Sequence, residues 1–296
     1  MKIIPCGTEH FEELVNFVVR LNGRDAHHIG FFGEGDADVR ASLAECVIPP
    51  AEGFQLAYDG DQLVGVFGVD ANLEIGRVWL FGPLIEHANW QPLADELYAA
   101  CKKRIPEGVH EYDLFCDVHN GNIKLFAERH GFSPRSENAV LTLERREYKE
   151  LGSFDNPFSI MNYSPEFFEQ FQTLHDFLFP KTYFTAQQII EKLDGARRLF
   201  LGHENGALKG YHFCKVEAQA RLGYVDFIGV HTSARSHGLG SILLAAGLDW
   251  MLSFPDIDKV NLTVNADNIS ALNLYKKTGF VTERVMRGYR KQGIHV

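Results

Sequence analysis

Residues 224–240 read YVDFIGVHTSARSHGLG, and SILLAAGLDWML follows at 241–252. A short apolar strand gives way to a polar turn, and an amphipathic helix starts at once. Gly238 and Gly240 let the main chain approach a ligand closely. The first free N–H groups of the helix point at whatever lies before it, which favours an anion. Arg235-x-x-Gly238-x-Gly240 therefore reads as a phosphate-holding turn, against the bland alternative of an ordinary glycine loop. It is not a Walker loop, because no Gly-Lys-Ser/Thr follows. It is a poor dinucleotide fingerprint, because the glycine spacing differs and hairpins precede it.

Working outward, residues 259–264 form a strand, 270–277 a helix, and Gly279 a natural stop. Upstream, residues 199–202 and 208–216 make a hairpin across Glu204-Asn205-Gly206. The first half repeats this plan: a hairpin across Asp59-Gly60-Asp61, a strand at 78–81, a helix at 93–104, a strand at 112–118 and a helix ending at Gly131. Landmarks recur at a nearly constant separation. Gly82 and Gly229 lie 147 apart, and Asn120 and Asn268, like Gly131 and Gly279, lie 148 apart. The chain thus divides into modules 1–150 and 151–296, with LGSFDNP at 151–157 as linker.

Residues 264–280, VNADNISALNLYKKTGF, complete the pattern. Arg-x-x-Gly-x-Gly on a strand-to-helix turn, followed by Asn-x-x-Ala-x-x-x-Tyr-x-x-x-Gly-Phe, resembles the GNAT superfamily of acetyl-CoA-dependent N-acetyltransferases. The layout of two modules resembles that of the tandem acetyltransferases of the mycothiol-synthase kind. The resemblance implies an α/β (α+β) fold of two tandem GNAT-type modules. Each would be a mixed, mostly antiparallel sheet flanked by helices, splayed between strands four and five. It also implies residue roles. Arg235, Ser236, His237, Gly238, Leu239, Gly240 and Ser241 would wrap the acetyl-CoA pyrophosphate. Ile228, Gly229 and Val230 would pair with the pantetheine arm, with the strands parting near Gly229. Asn268 would touch the cofactor, and Tyr275 would protonate the leaving thiolate.

The chemistry makes the same demands. An amine that attacks a thioester must lose a proton, the carbonyl oxygen must meet a donor, and the sulfur must leave stabilised. The N–H of Val230 can serve the oxygen and Tyr275 the sulfur. Asp226 is a candidate base, placed by two-residue alternation on one face with Ile228 and Val230. His231 is a second candidate. Alternatively Asp226 is a solvated strand carboxylate, His231 a loop residue, Tyr275 core filler and Asn268 a simple helix cap.

Applied to the first half, a separation of 147 puts Ala88, Gln91 and Leu93 where Arg235, Gly238 and Gly240 stand, and Pro92 removes an N–H. A separation of 148 puts Ala127 where Tyr275 stands. The first module is expected to keep the fold without a standard CoA site. On the acceptor side, Phe177, Phe179, Tyr183 and Phe184 line a pocket or simply pack.

Composition sets the limits. The chain has 296 residues, 45% of them hydrophobic, with 29 basic and 39 acidic residues and a net charge of −10. That balance weighs against nucleic acid and suits a small-molecule amine or peptide acceptor. The five cysteines are scattered without CxxC spacing, so neither a metal site nor a disulfide framework is expected. Neither a signal sequence nor a membrane span is legible, and a cytoplasmic monomer or homodimer is expected. The activity expected is acetyl transfer to a primary amine by direct attack. The alternative is a non-catalytic acyl-CoA sensor.

Overall fold

The computed structural model describes residues 1–151 and 156–293, so most of the expected linker, residues 152–155, lies outside the described residues. Two compact units emerge: Met1–Asn138 together with Arg284–Val296, and Ala139–Glu283. They divide the chain differently from the expected 1–150 and 151–296. The reason is that the closing strand of each repeat begins in one unit and ends in the other.

The first unit contains β1 (Lys2–Pro5), α1 (Phe11–Asn22), α2 (Asp36–Ala44), α3 (Pro50–Gly53), β2 (Phe54–Asp59), β3 (Gln62–Asn72), β4 (Arg77–Ile85), α4 (Trp90–Lys102), β5 (Glu111–Asp117) and α5 (Gly121–Arg129). It also holds the start of β6 (Ser133–Glu144). The second contains the rest of β6, then β7 (Ser159–Asn162), α6 (Phe168–Leu178), α7 (Ala186–Glu191), β8 (Arg197–Glu204), β9 (Ala207–Glu217), β10 (Leu222–Val230), α8 (Leu239–Leu252), β11 (Lys259–Asn265) and α9 (Ile269–Lys277). The last strand, β12 (Val281–Gln292), leaves the second unit after Glu283 and pairs with β5 in the first, Met286 opposite Asp117 and Gln292 opposite Glu111.

Strand order is β1-β2-β3-β4-β5-β12 in the first unit and β7-β8-β9-β10-β11-β6 in the second. The hairpins are antiparallel, whereas β4–β5 and β10–β11 run parallel, each joined through a helix. Asn205 and Gly206 both take positive φ at the β8–β9 turn, as a tight hairpin needs.

In the second unit the sheet is covered on both faces. Leu239, Leu243, Leu248 and Met251 recur at helical spacing along α8 and pack on Cys214, Val225, Val260 and Leu262. Phe171, Leu174 and Ile189 of α6 and α7 cover Leu199, Tyr211, Phe213 and Phe227 on the other face. Arg145, just past β6, donates to the carbonyls of Leu252, Phe254 and Ile257 and so closes the C-terminal end of α8.

Helix α8 lies close enough to β9 that a Cβ on Gly247 would come within 2.0 Å of the His212 ring. His212 is sealed there, with Nδ1 2.8 Å from the Leu243 carbonyl and Nε2 buried without a partner among the described residues. Burial holds its pKa down, from 6.5 to about 4. A histidine with a depressed folded pKa binds protons more readily once unfolded. Stability is therefore intact above pH 6.5 and drains away as the pH falls through about 4. The melting temperature is expected to drop over that window, and thermal melts of His212→Leu should show a flatter profile. Flattening will be partial, because burial also depresses His28 to about 4.

Candidate active site

Strand β10 pairs with β9 along its length, but with β11 only from Leu222–Lys259 to Val225–Leu262. Beyond Val225 its other edge is open, so the strands part earlier than the expected Gly229. A bulge between Val225 and Phe227 accounts for this, since an extra residue bends a strand and adds twist. The bulge also reverses the faces. Val225 packs under α8 with Cys214, whereas Phe227 packs with Phe171 and Tyr211. Two-residue counting across this bulge therefore no longer fixes the face of Asp226, on which its expected sharing with Ile228 and Val230 rested. Instead, the Tyr183 hydroxyl donates to the Asp226 carbonyl at 3.3 Å and lies 3.5 Å from its Oδ1. The Tyr183 ring stacks on Phe227 with centroids 4.7 Å apart. Asp226 thus belongs with the loop after α6.

The turn from β10 into α8 is built by local geometry. His231 caps a short 3-10 turn at Thr232–Ala234, Ser236 takes φ 66°, and Gly238 takes φ 85° at the helix N-cap. The Arg235 side chain folds back, its Nε donating to the Val230 carbonyl at 3.2 Å. Ser241 and Ile242 close the first helical turn onto the Gly238 carbonyl, which commits the Ser241 N–H and leaves its hydroxyl. The N–H groups of Ser236, His237, Gly238, Leu239 and Gly240 meet no acceptor among the described residues. Five consecutive donors without a described acceptor at the positive end of a helix suit an anion.

Asn268 caps α9, its side chain accepting from the Ala271 N–H at 3.2 Å. Tyr275 is 6% exposed and shares one apolar cluster with Leu239 and Val264, against which Val230 packs. Strand end, turn and α9 therefore converge. A Cβ on Gly240 would lie 3.7 Å from both Val230 Cγ2 and Leu274 Cδ2. The Tyr275 hydroxyl pairs with no described residue and is not sealed off. Burial pushes its pKa up to about 12, so it stays protonated. His231 is engaged locally: its Nδ1 faces Ser233 Oγ at 2.8 Å and its ring lies against Phe177.

Residues 162–280 match the family model described as Acetyltransferase (GNAT) family. That stretch lies within the second unit. Mycothiol acetyltransferase of Streptomyces griseus is 38% identical over 93 residues, 31% of this chain and 30% of that protein. The Clavibacter michiganensis mycothiol acetyltransferase is 42% identical over 98 residues, 33% of this chain and 31% of that one. The matches thus span about three-tenths of these relatives' length. Among solved structures, a GCN5-related N-acetyltransferase from Sphaerobacter thermophilus superposes with TM-score 0.75 at 14% identity, over 96% of this chain and 93% of that one. A tandem GNAT protein from the clavulanic acid biosynthesis pathway gives TM-score 0.68 at 14% identity, over 100% and 99%. These two establish the tandem GNAT fold.

The first unit repeats hydrogen bonds of the second but not its turn. Asn120 accepts from Ile123 as Asn268 does from Ala271, at 3.2 Å each. The Phe132 N–H bonds to Ala127 as Phe280 does to Tyr275, which confirms Ala127 as the counterpart of Tyr275. The turn needs correction. Glu86 bonds to Val64 as His231 does to Lys209, and Leu93 bonds to Asn89 as Ile242 does to Gly238. The separation is 145 before the turn and 149 after it, so the first unit's turn is four residues shorter. Ala88, Gln91 and Leu93 do not replace Arg235, Gly238 and Gly240; part of the loop is absent. In its place Arg20 and Arg24 pair with Glu86, and His87 Nδ1 accepts from the Asn89 N–H. Among the described residues, no helix is long and apolar enough to cross a membrane.

Proposed function

We propose that this chain is an acetyl-CoA-dependent N-acetyltransferase whose reaction takes place in the second unit. One observation carries the reading: five unpaired N–H groups, Ser236 to Gly240, stand beside an open β10 edge and next to a buried, protonated Tyr275. The match of residues 162–280 to the GNAT family supports it.

The residues present fit acetyl-CoA. The nest would hold its pyrophosphate, the open edge from Ile228 to Val230 its pantetheine amides, with Arg235 giving up the Val230 carbonyl, and Asn268 would lie beside it. Bound there, acetyl-CoA supplies an activated acetyl group. The Val230 N–H is placed to donate to the acyl oxygen, and Tyr275 to give a proton to the departing sulfur. Asp226 accepts the proton of the incoming amine, directly or through a water, and the Tyr183 hydroxyl beside it fixes where that amine sits. Exposed Phe177 and half-exposed Tyr183 frame this side with aromatic faces, which suit a cationic amine before deprotonation. The first unit serves as scaffold.

The test is turnover: thiol release from acetyl-CoA across a panel of primary amines. Mycothiol-type amines belong in the panel because of the relatives' name. Glucosamine belongs there because a fungal glucosamine N-acetyltransferase region shares the fold, with TM-score 0.72 at 15% identity, over 95% of this chain and 36% of that one. At least one amine should support turnover that Asp226→Asn slows about 100-fold. Tight acetyl-CoA binding with no turnover on any amine would instead favour the sensor reading.

A further inference from the structure

The first unit also opens between its two parallel strands. Pairing of β4 with β5 runs only from Arg77–Glu111 to Trp79–Asp113. In the second unit the equivalent gap carries no backbone bridge among the described residues. In the first it does. Ile29 forms an antiparallel bridge with Cys116. The Gly30 N–H bonds to the Phe115 carbonyl at 2.8 Å, and the Asp117 N–H to the His28 carbonyl at 3.2 Å.

We infer that residues 28–32 are a built-in occupant of the first unit's cofactor cleft, standing where a pantetheine arm would lie, so that each chain takes one acyl-CoA, in the second unit. The inference rests on the second unit being the acyl-CoA site. The segment acts as a stand-in strand. It takes up the backbone donors and acceptors of β5 that face the gap, and it fills the remaining width towards β4 with rings. Phe31 lies between Phe81 of β4 and Phe115 of β5, at 5.4 and 6.0 Å. Phe32 meets Phe81 edge-on at 5.2 Å.

The segment is also fastened from behind. Asn22, fully buried at the end of α1, accepts from the Ile29 N–H at 2.7 Å and donates to the carbonyls of Ile29 and Gly33 at 3.2 and 3.1 Å. Its own carbonyl lies 2.7 Å from His28 Nδ1. No slack remains: a Cβ on Gly30 would lie 2.4 Å from Phe115 Cδ1 and 2.7 Å from Met286 Cε. An incoming ligand would have to break these bonds and displace the buried ring of Phe32 and the half-buried ring of Phe31, with no phosphate nest nearby to compensate.

Two measurements on the full chain test this. Calorimetric titration with acetyl-CoA should give one equivalent per chain, and Gly238→Asp should weaken that single site at least about 100-fold and leave no second one. Gly240→Asp repeats the measurement should the first variant fold poorly. Hydrogen exchange should show the Ile29, Gly30 and Asp117 amides as slow as those of β3, and unchanged when acetyl-CoA is added to Gly238→Asp. A second equivalent, or binding undiminished in Gly238→Asp, overturns the inference. Fast exchange at Gly30 overturns it as well, whatever the titration gives. A wild-type chain that binds nothing, with Gly30 still slow, counts against the second-unit site and leaves the cleft occupied as inferred.

Discussion

Gly238→Asp is expected to weaken acetyl-CoA binding at least about 100-fold, with the fold retained. Two physical effects combine. Gly238 sits at φ 85°, where a side chain costs about 1–2 kcal/mol. The new carboxylate also stands in the middle of five N–H donors that face an anion, and it would both occupy and repel. Since each 1.4 kcal/mol is a factor of about ten, the two together exceed about 100-fold. Gly238→Asn separates them. Asparagine tolerates positive φ and is neutral, so about a tenfold loss is expected. Calorimetry on both variants decides the matter. Equal losses would mean strain alone, and no loss in either would remove the turn from the binding site.

Tyr275→Phe is expected to lower kcat about 100- to 1000-fold while changing the acetyl-CoA Kd little. The ring is packed among Leu239, Val264 and Phe280, and phenylalanine keeps that packing. Only the hydroxyl is lost, and it holds up no described residue. The split between kcat and Kd separates a proton donor from a structural tyrosine. The pH profile adds a second reading. Burial raises this hydroxyl from 10.0 to about 12, so the wild type should show no alkaline loss attributable to it below pH 10. The same shift costs the fold stability in alkali: there is no effect below pH 10, and stability falls as the pH rises from 10 to about 12. An unchanged kcat in the variant would hand proton donation to another group.

The strand, turn and helix start at 224–240 were legible because their signal is local. A strand, two glycines and a helix start lie within seventeen residues, and each needs only its neighbours to be understood. Tyr275 was legible for the same reason, tied by fixed spacing to Asn268 and Gly279. The face of Asp226 was not legible because a bulge exists only relative to a partner strand; nothing in YVDFIGV shows that two of its residues face one residue of β9. The shortened first turn was hidden by averaging. Separations of 145 and 149 on its two sides look, from landmarks alone, like a steady 147. The occupant of the first cleft was invisible for a different reason. Ile29-Gly-Phe-Phe stands out as an apolar run in a polar loop, but its partner strand lies more than eighty residues further on.

The crossing of the closing strands has a consequence for how the protein comes into being. On a ribosome the first unit is made first yet cannot finish first, because the edge of β5 stays bare until residues 286–292 have been synthesised. The second unit waits for nothing, since its borrowed strand, the later part of β6, precedes it. Folding should therefore run against the order of translation, with the C-terminal repeat settling early and the N-terminal one sealed last. A nascent chain would meanwhile present an unpaired strand edge, the surface that invites pairing with a neighbour. A stop signal near residue 284 would spare most of the repeat it interrupts and injure the other one.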